Sequence, residues 1–230
     1  MRTIGLLGGM SWPSTITYYR GINEGVNARL GGSHSARILI WSDDYALTER
    51  QQLAGEWTAA GDRLAGAAVA LQEAGADLIG IACNTMHEVA PAVRSALRVP
   101  LVDLVEVNAA RAAGLGVTRV GLLGTPITMR MAAYRERFAA RSIDLTLPGE
   151  DDQEIVRRAI YDELCHGVVR PETGAAIHRV IGRMVADGAE GIVLACTEFN
   201  LVVDTAACGV PVLDTTLVHL EALVAAALDE

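Results

Sequence analysis

The chain contains no lysine: all 19 of its basic residues are arginine. That excludes an internal lysine aldimine, and with it ordinary pyridoxal phosphate chemistry. It also excludes the lysine of a phosphate-binding P-loop. The four cysteines, Cys83, Cys165, Cys196 and Cys208, form no C-x-x-C pair, so no zinc or other metal site is expected. No apolar run reaches the roughly 18 residues of a membrane-helix candidate, so no membrane association is expected. A basic surface is missing as well. The formal net charge is -9, which argues against nucleic acid as a partner. Met1 is followed by the strand-like Thr3-Ile4-Gly5-Leu6-Leu7-Gly8 rather than a basic region and a long apolar run, so no signal peptide is expected. The expectation is a cytoplasmic protein with reduced cysteines and no structural disulfide.

What is present is a repeat. The stretch Glu73 to Cys83 aligns without a gap on Ala186 to Cys196, at a constant offset of 113. Glycine, alanine, isoleucine, alanine and the terminal cysteine coincide, and Asp77 meets Glu190. Two further pairs share the order. Thr3–Gly8 matches Arg119–Gly124, and Val99-Pro100-Leu101-Val102-Asp103 matches Val210-Pro211-Val212-Leu213-Asp214. With 230 residues, 51% of them hydrophobic, the chain can bury a sizeable core.

Short apolar runs alternate with longer amphipathic ones, the pattern of an α/β fold with parallel strands. Strands are expected near residues 3–8, 37–41, 77–83 and 100–103, and again near 119–124, 143–147, 191–196 and 211–214. Helices are expected from Ser11 or Ser14 toward Asn27, over 56–74, 128–141, 153–165 and 173–187, and over 217–228 crossing back to the first half. The fold class is therefore α/β, with two pseudo-symmetric subdomains, each a mostly parallel four-stranded sheet flanked by helices. Their expected bounds are 1–103 plus 216–230, and 104–215, with the active site in the cleft between them. No linker rich in proline, glycine or serine separates the halves.

In parallel α/β sheets ligands bind beyond the carboxyl ends of the strands. Gly8-Gly9-Met10-Ser11-Trp12 and Cys83-Asn84-Thr85-Met86-His87 fall there in the first half. Gly124-Thr125-Pro126-Ile127-Thr128 and Cys196-Thr197-Glu198 fall there in the second. Backbone N–H groups at helix N-termini would hold a carboxylate and draw a thiol's pKa toward neutrality. Two thiols facing one cleft from opposite sides would remove a proton from one face of a carbon and return one to the other. Plainer readings stand beside these. Cys165 and Cys208 read as small hydrophobes. Asn84, Thr85 and Thr197 would equally serve as helix caps. His87 reads as a structural or supporting group, and Glu198 either orients Cys196 or caps a helix. Arg50, placed between a strand and a helix, is a candidate for a substrate's distal carboxylate. Gly8-Gly9 lacks the G-x-G-x-x-G spacing of a dinucleotide site.

At Leu7-Gly8-Gly9-Met10-Ser11-Trp12, Ala82-Cys83-Asn84-Thr85-Met86-His87, Gly124-Thr125 and Ala195-Cys196-Thr197-Glu198 the chain resembles the aspartate/glutamate racemase family, over its whole length. The resemblance implies a cofactor-independent amino-acid racemase, usually a homodimer, with Cys83 and Cys196 as its acid–base pair. It further implies that Asn84, Thr85, Thr125, Thr128 and Thr197 hold the amino acid's α-carboxylate and amino group, with Met10 shaping the pocket. The chain departs from the pattern in two places. Pro13 stands where related racemases often have glutamate. Some aspartate-specific members carry a lysine near where Cys165-His166 falls here, so a distal carboxylate would depend on Arg50 or another donor. Three other readings remain open: a maleate cis–trans isomerase, a hydantoin racemase, and a two-lobed small-molecule binder without catalysis.

Overall fold

All eight expected strands are present in the computed structural model, which describes residues 1–229. The first unit comprises Met1–Val107 and the chain from Thr216 onward; the second comprises Asn108–Thr215. In chain order the first unit holds β1 (Ile4–Gly8), α1 (Trp12–Leu30), β2 (Ile38–Ser42), α2 (Tyr45–Ala54), α3 (Trp57–Glu73) and β3 (Leu78–Ile81). A 3-10 turn over Thr85–Val89, α4 (Ala90–Ala96) and β4 (Leu101–Val102) follow, and α5 (Leu104–Gly114) leads into the second unit. That unit holds β5 (Arg119–Gly124), α6 (Pro126–Arg130), α7 (Ala132–Ala139), β6 (Asp144–Thr146), α8 (Glu150–Arg158), α9 (Pro171–Ala186), β7 (Gly191–Ala195) and β8 (Val212–Asp214). Helix α10 (Thr215–Leu228) begins at the end of β8 and belongs almost wholly to the first unit.

Each unit carries one four-stranded sheet, ordered β2-β1-β3-β4 and β6-β5-β7-β8, and every pairing is parallel. The fold is thus α/β with two sheets of the same topology. Strands β1, β3 and β7 are buried at every residue. Parallel strands covered by helices on both faces read as continuous apolar runs rather than alternating ones, which is why these runs stood out in the sequence. In the first unit α10 closes one face of the sheet: Leu220, Leu223 and Val224 pack with Ile4, Leu6, Tyr18, Ile22 and Leu78. A Cβ at Gly80 in β3 would meet the Leu223 side chain at 2.9 Å, so the missing side chain sets how closely α10 approaches. In the second unit Leu123, Val156, Ile160, Ile177, Val180, Ile192 and Phe199 form the main core.

The paired acids of the repeat do the same work in both units. Asp77 Oδ2 accepts the Thr3 N–H at 2.7 Å, and Glu190 Oε2 accepts the Thr118 N–H at 2.6 Å. Each carboxylate ties the start of one strand of a sheet to the start of its neighbour.

Several helices differ from expectation. The segment expected as one helix over 128–141 is two, α6 and α7, broken at Met131, whose φ of -60° and ψ of 127° leave the helical region. Methionine is a good helix former, and neither glycine nor proline marks the break. The helix expected over 153–165 starts earlier, at Glu150. Three acids occupy its first turn and two arginines its last, each favourable to the helix dipole. It leaves α geometry at Ala159 for a π-helical stretch and then a 3-10 turn, ending at left-handed Gly167. Helices α2 and α5 were not expected, and the helix expected just after Cys83 begins as the 3-10 turn and continues as α4. Asp44 starts α2 by accepting the Ala46 N–H at 3.2 Å, and left-handed Gly55 ends it.

Candidate functional site

In the first unit the loop after β1 turns sharply. Gly9 has φ of +80°, and a Cβ there would run into the backbone of Asp43, whose N–H donates to the Gly8 carbonyl at 3.1 Å. The Gly9 N–H donates to Thr15 Oγ1 at 2.7 Å, and Thr15 Oγ1 donates to the Ser11 carbonyl at 2.9 Å. This folds Met10 inward, where it is buried in the apolar core beside β1 and β3. Asp43 is held in turn by Arg63 of α3. Arg63 also reaches Thr48 and Gln51 of α2, clamping α2 to the loop that meets Gly9.

Cys83 follows β3 and is half-buried, with Asn84 and Thr85 buried after it. His87, one turn on, is buried and has both ring nitrogens engaged. The Leu104 N–H donates to Nε2 at 3.0 Å. Nε2 is therefore unprotonated, and Nδ1–H donates to the Cys83 carbonyl at 2.8 Å. A second buried histidine, His219 of α10, lies edge-on at 6.0 Å between ring centroids. Its Nε2 donates to the Val102 carbonyl and its Nδ1 accepts the Tyr18 hydroxyl, both at 2.9 Å. Burial lowers the pKa of both rings, that of His219 to about 3. Both are therefore neutral and structural at ordinary pH. Asp103 caps α5 through the Val105 and Glu106 N–H groups and takes Arg94 at 2.7 Å. Burial alone would raise its carboxyl, but the hydrogen bonds from the Glu106 N–H and from Arg94, with the Arg94 charge, hold it below the usual range.

In the second unit Thr125 caps α6. Its hydroxyl oxygen accepts the Thr128 N–H at 3.1 Å, and its proton goes to Thr128 Oγ1 at 3.0 Å. Thr128 itself is fully buried. Cys196 follows β7 and is 8% exposed. Its Sγ donates to Glu198 Oε2 at 2.9 Å, and Thr197 Oγ1 donates to the same oxygen at 2.7 Å.

Three expectations are corrected here. Helix N-termini were expected to draw the thiols toward neutral pKa. The Cys196 thiol is instead pushed well up, first by burial and then by the Glu198 carboxylate. The segments after Cys83 and Cys196 are five-residue 3-10 turns, Thr85–Val89 and Thr197–Leu201, too short to develop much dipole. Arg50 lies within α2, not between a strand and a helix, and is exposed. Cys165 is exposed rather than a buried hydrophobe, whereas Cys208 is buried. One candidate binding residue was missed: Gln52 of α2 donates from Nε2 to Met86 Sδ at 3.1 Å. A thioether is a weak acceptor, so this amide stands beside the Cys83-Asn84-Thr85 turn without a strong partner for that bond. No sequence signal marked it, because α2 itself was unforeseen.

Among the described residues no group of three His, Cys, Asp or Glu side chains is placed to hold a metal ion, and no helix is long and apolar enough to cross a membrane.

Comparison with known proteins agrees with the motifs. A family model for Asp/Glu/Hydantoin racemase matches residues 7–223. The crystal structure of a proposed Asp/Glu racemase from Yersinia pestis is 42% identical with a TM-score of 0.94, covering 99% of this chain and 100% of that one. An aspartate racemase homologue from Pyrococcus horikoshii OT3 is 30% identical with a TM-score of 0.87, at 99% and 100% coverage. The glutamate racemase of Shewanella loihica is 29% identical over 127 residues, 55% of this chain and 46% of that protein. The match thus spans about half the length of that curated relative. The motifs at the strand ends, the repeated sheet topology and these similarities together place the chain in the Asp/Glu/Hydantoin racemase family.

Proposed function

We propose that the protein is an amino-acid racemase that works without pyridoxal phosphate, with aspartate or glutamate as favoured substrates and Cys83 and Cys196 as its acid–base pair. The observation that carries this reading is the equivalence of the two thiols. Each ends the same strand of the same four-stranded parallel topology, β3 in one unit and β7 in the other. A two-base mechanism needs one group on each face of the substrate's Cα. One thiolate takes the α-proton, and the electron pair stays on Cα, spread into the carboxylate. The opposite thiol then gives its proton to Cα, leaving a thiolate. The α-proton of an amino acid is very weakly acidic, so the carbanion-like transition state depends on fixed donors aimed at the carboxylate. Asn84, Thr85, Thr125, Thr128 and Thr197 are the proposed holders of the α-carboxylate and amino group, with Met10 as an apolar wall. Arg50 or Gln52 would meet the distal carboxylate. His87 and Glu198 support the two cysteines. The active form would be a homodimer in the cytoplasm, the assembly being readable by light scattering.

The family description also names hydantoins, which makes hydantoin racemisation the second reading. It uses the same proton transfers on a cyclic substrate. The deciding experiment is α-proton exchange in heavy water with each enantiomer of aspartate, glutamate, neutral amino acids and 5-substituted hydantoins. Exchange with inversion of an amino acid supports the first reading, and inversion of a hydantoin alone supports the second. Exchange with none of them removes both. Cys83→Ala and Cys196→Ala are each expected to abolish racemisation with the fold intact. A single variant that still racemises in both directions would refute the two-base assignment.

A further inference from the structure

The repeat is broken where it matters for proton transfer. At the offset of 113 that aligns the cysteines, Glu198 stands opposite Thr85. At this point of the repeat the acid is therefore found beside Cys196 alone, although the two strands are equivalent. Cys196 donates its S–H to Glu198 Oε2 at 2.9 Å, and Thr197 anchors the same oxygen at 2.7 Å. A carboxylate in that position stabilises the thiol as a donor and opposes the thiolate, because two like charges would then lie side by side in a partly buried place. In the first unit the corresponding Thr85 carries no charge. His87, which does approach Cys83, binds its backbone carbonyl and not its sulfur.

We infer that Glu198 holds Cys196 as the protonated thiol at rest, so that for one enantiomer Cys196 is the proton donor and Cys83 the base, while the other enantiomer is taken by the form whose proton has moved to Cys83. The inference rests on the acid–base reading given above. Cys83 thiolate takes the α-proton and becomes a thiol. Cα takes the proton of Cys196, whose thiolate is left against the Glu198 carboxylate. That pairing of like charges drives Cys196 to recover a proton from water while Cys83 releases one, which returns the enzyme to its starting form. Glu198 is on this account a positioning residue: it touches no substrate atom and acts through Cys196. The upward shift of the Cys196 pKa agrees with it.

The test reads Cys196 directly. In a Cys83→Ala background, the rate of alkylation of Cys196 by iodoacetamide is followed against pH by peptide mass spectrometry. Glu198→Gln is expected to lower the midpoint by about one pH unit or more, and Glu198→Asp, which keeps a carboxylate, to lie between the two. In the otherwise unaltered protein, Glu198→Gln should move the alkaline limb of kcat/KM to lower pH. It should do so equally for both enantiomers, whose energies are the same. A merely structural role would move neither. A midpoint that stays or rises in Glu198→Gln, with unchanged far-UV circular dichroism, overturns the inference. If that variant does not fold, Glu198→Ala is read in its place with the same expected fall. A lowered midpoint in a protein that racemises nothing would sink the acid–base reading and leave the thiol's dependence on Glu198 standing. Racemisation with an unmoved midpoint would do the reverse.

Discussion

The imidazole of His87 donates through Nδ1 to the carbonyl of Cys83 at 2.8 Å and accepts the Leu104 N–H on Nε2 at 3.0 Å. One buried neutral ring thus joins the backbone that carries a proposed catalytic thiol to the first turn of α5. His87→Leu leaves a buried carbonyl and a buried N–H without their partner. We expect a loss of about 2–4 kcal/mol in urea unfolding, together with lower activity because the Cys83 backbone is no longer fixed. Unfolding at the parental urea midpoint would remove this role.

The two buried histidines make stability depend on pH. Their folded pKa values lie below the ordinary 6.5, that of His219 at about 3. The unfolded chain therefore binds protons that the folded chain refuses. This stabilisation is complete above about pH 6.5 and is lost as pH falls below it, for His219 at up to about 1.4 kcal/mol per unit on the way toward 3, with His87 adding a loss of the same sign. Asp103, whose carboxyl is held low, adds its own loss only below the ordinary carboxylate pKa of 3.8. Denaturation between pH 6.5 and 5 isolates the histidines, and His219→Gln should flatten that slope. A flat profile in the parent protein would contradict the burial of both rings.

Gly9 is required by its backbone and by its neighbour at once. Its φ of +80° disfavours any side chain, and a Cβ would meet the Asp43 backbone, which has no room to yield. Gly9→Ala should destabilise by about 2 kcal/mol or more and displace Met10. Differential scanning calorimetry checks the first effect and substrate KM the second.

Thr125 joins a cap to the proposed binding site. Thr125→Val removes the acceptor of the Thr128 N–H and the partner of its hydroxyl. A loss of about 1 kcal/mol is expected from the cap. Under the proposed function KM should rise more than that loss of stability explains. Thr125→Ser keeps the oxygen and should restore both, whereas a Thr125→Val enzyme with parental KM would take Thr125 out of the substrate site.

The sequence by itself determined the eight strands, their duplicated order and the two cysteines at equivalent strand ends. Buried parallel strands must be nearly all apolar, and a gapless repeat keeps its chemistry at matching points. It also determined the match of Asp77 with Glu190, although only the hydrogen bonds to Thr3 and Thr118 explain it. Local signals did not reveal α2, whose only notable marks are Asp44 and Gly55, nor the break at Met131, where neither glycine nor proline stands. Tertiary structure alone decided that Arg50 is exposed on α2, that Gln52 reaches Met86, and that His87 is a neutral brace. It also decided that Cys196 is buried beside Glu198, and that burial and the carboxylate together push its thiol pKa up. These depend on which groups are shut away from water together, and burial and charge pairing arise between segments far apart in the chain.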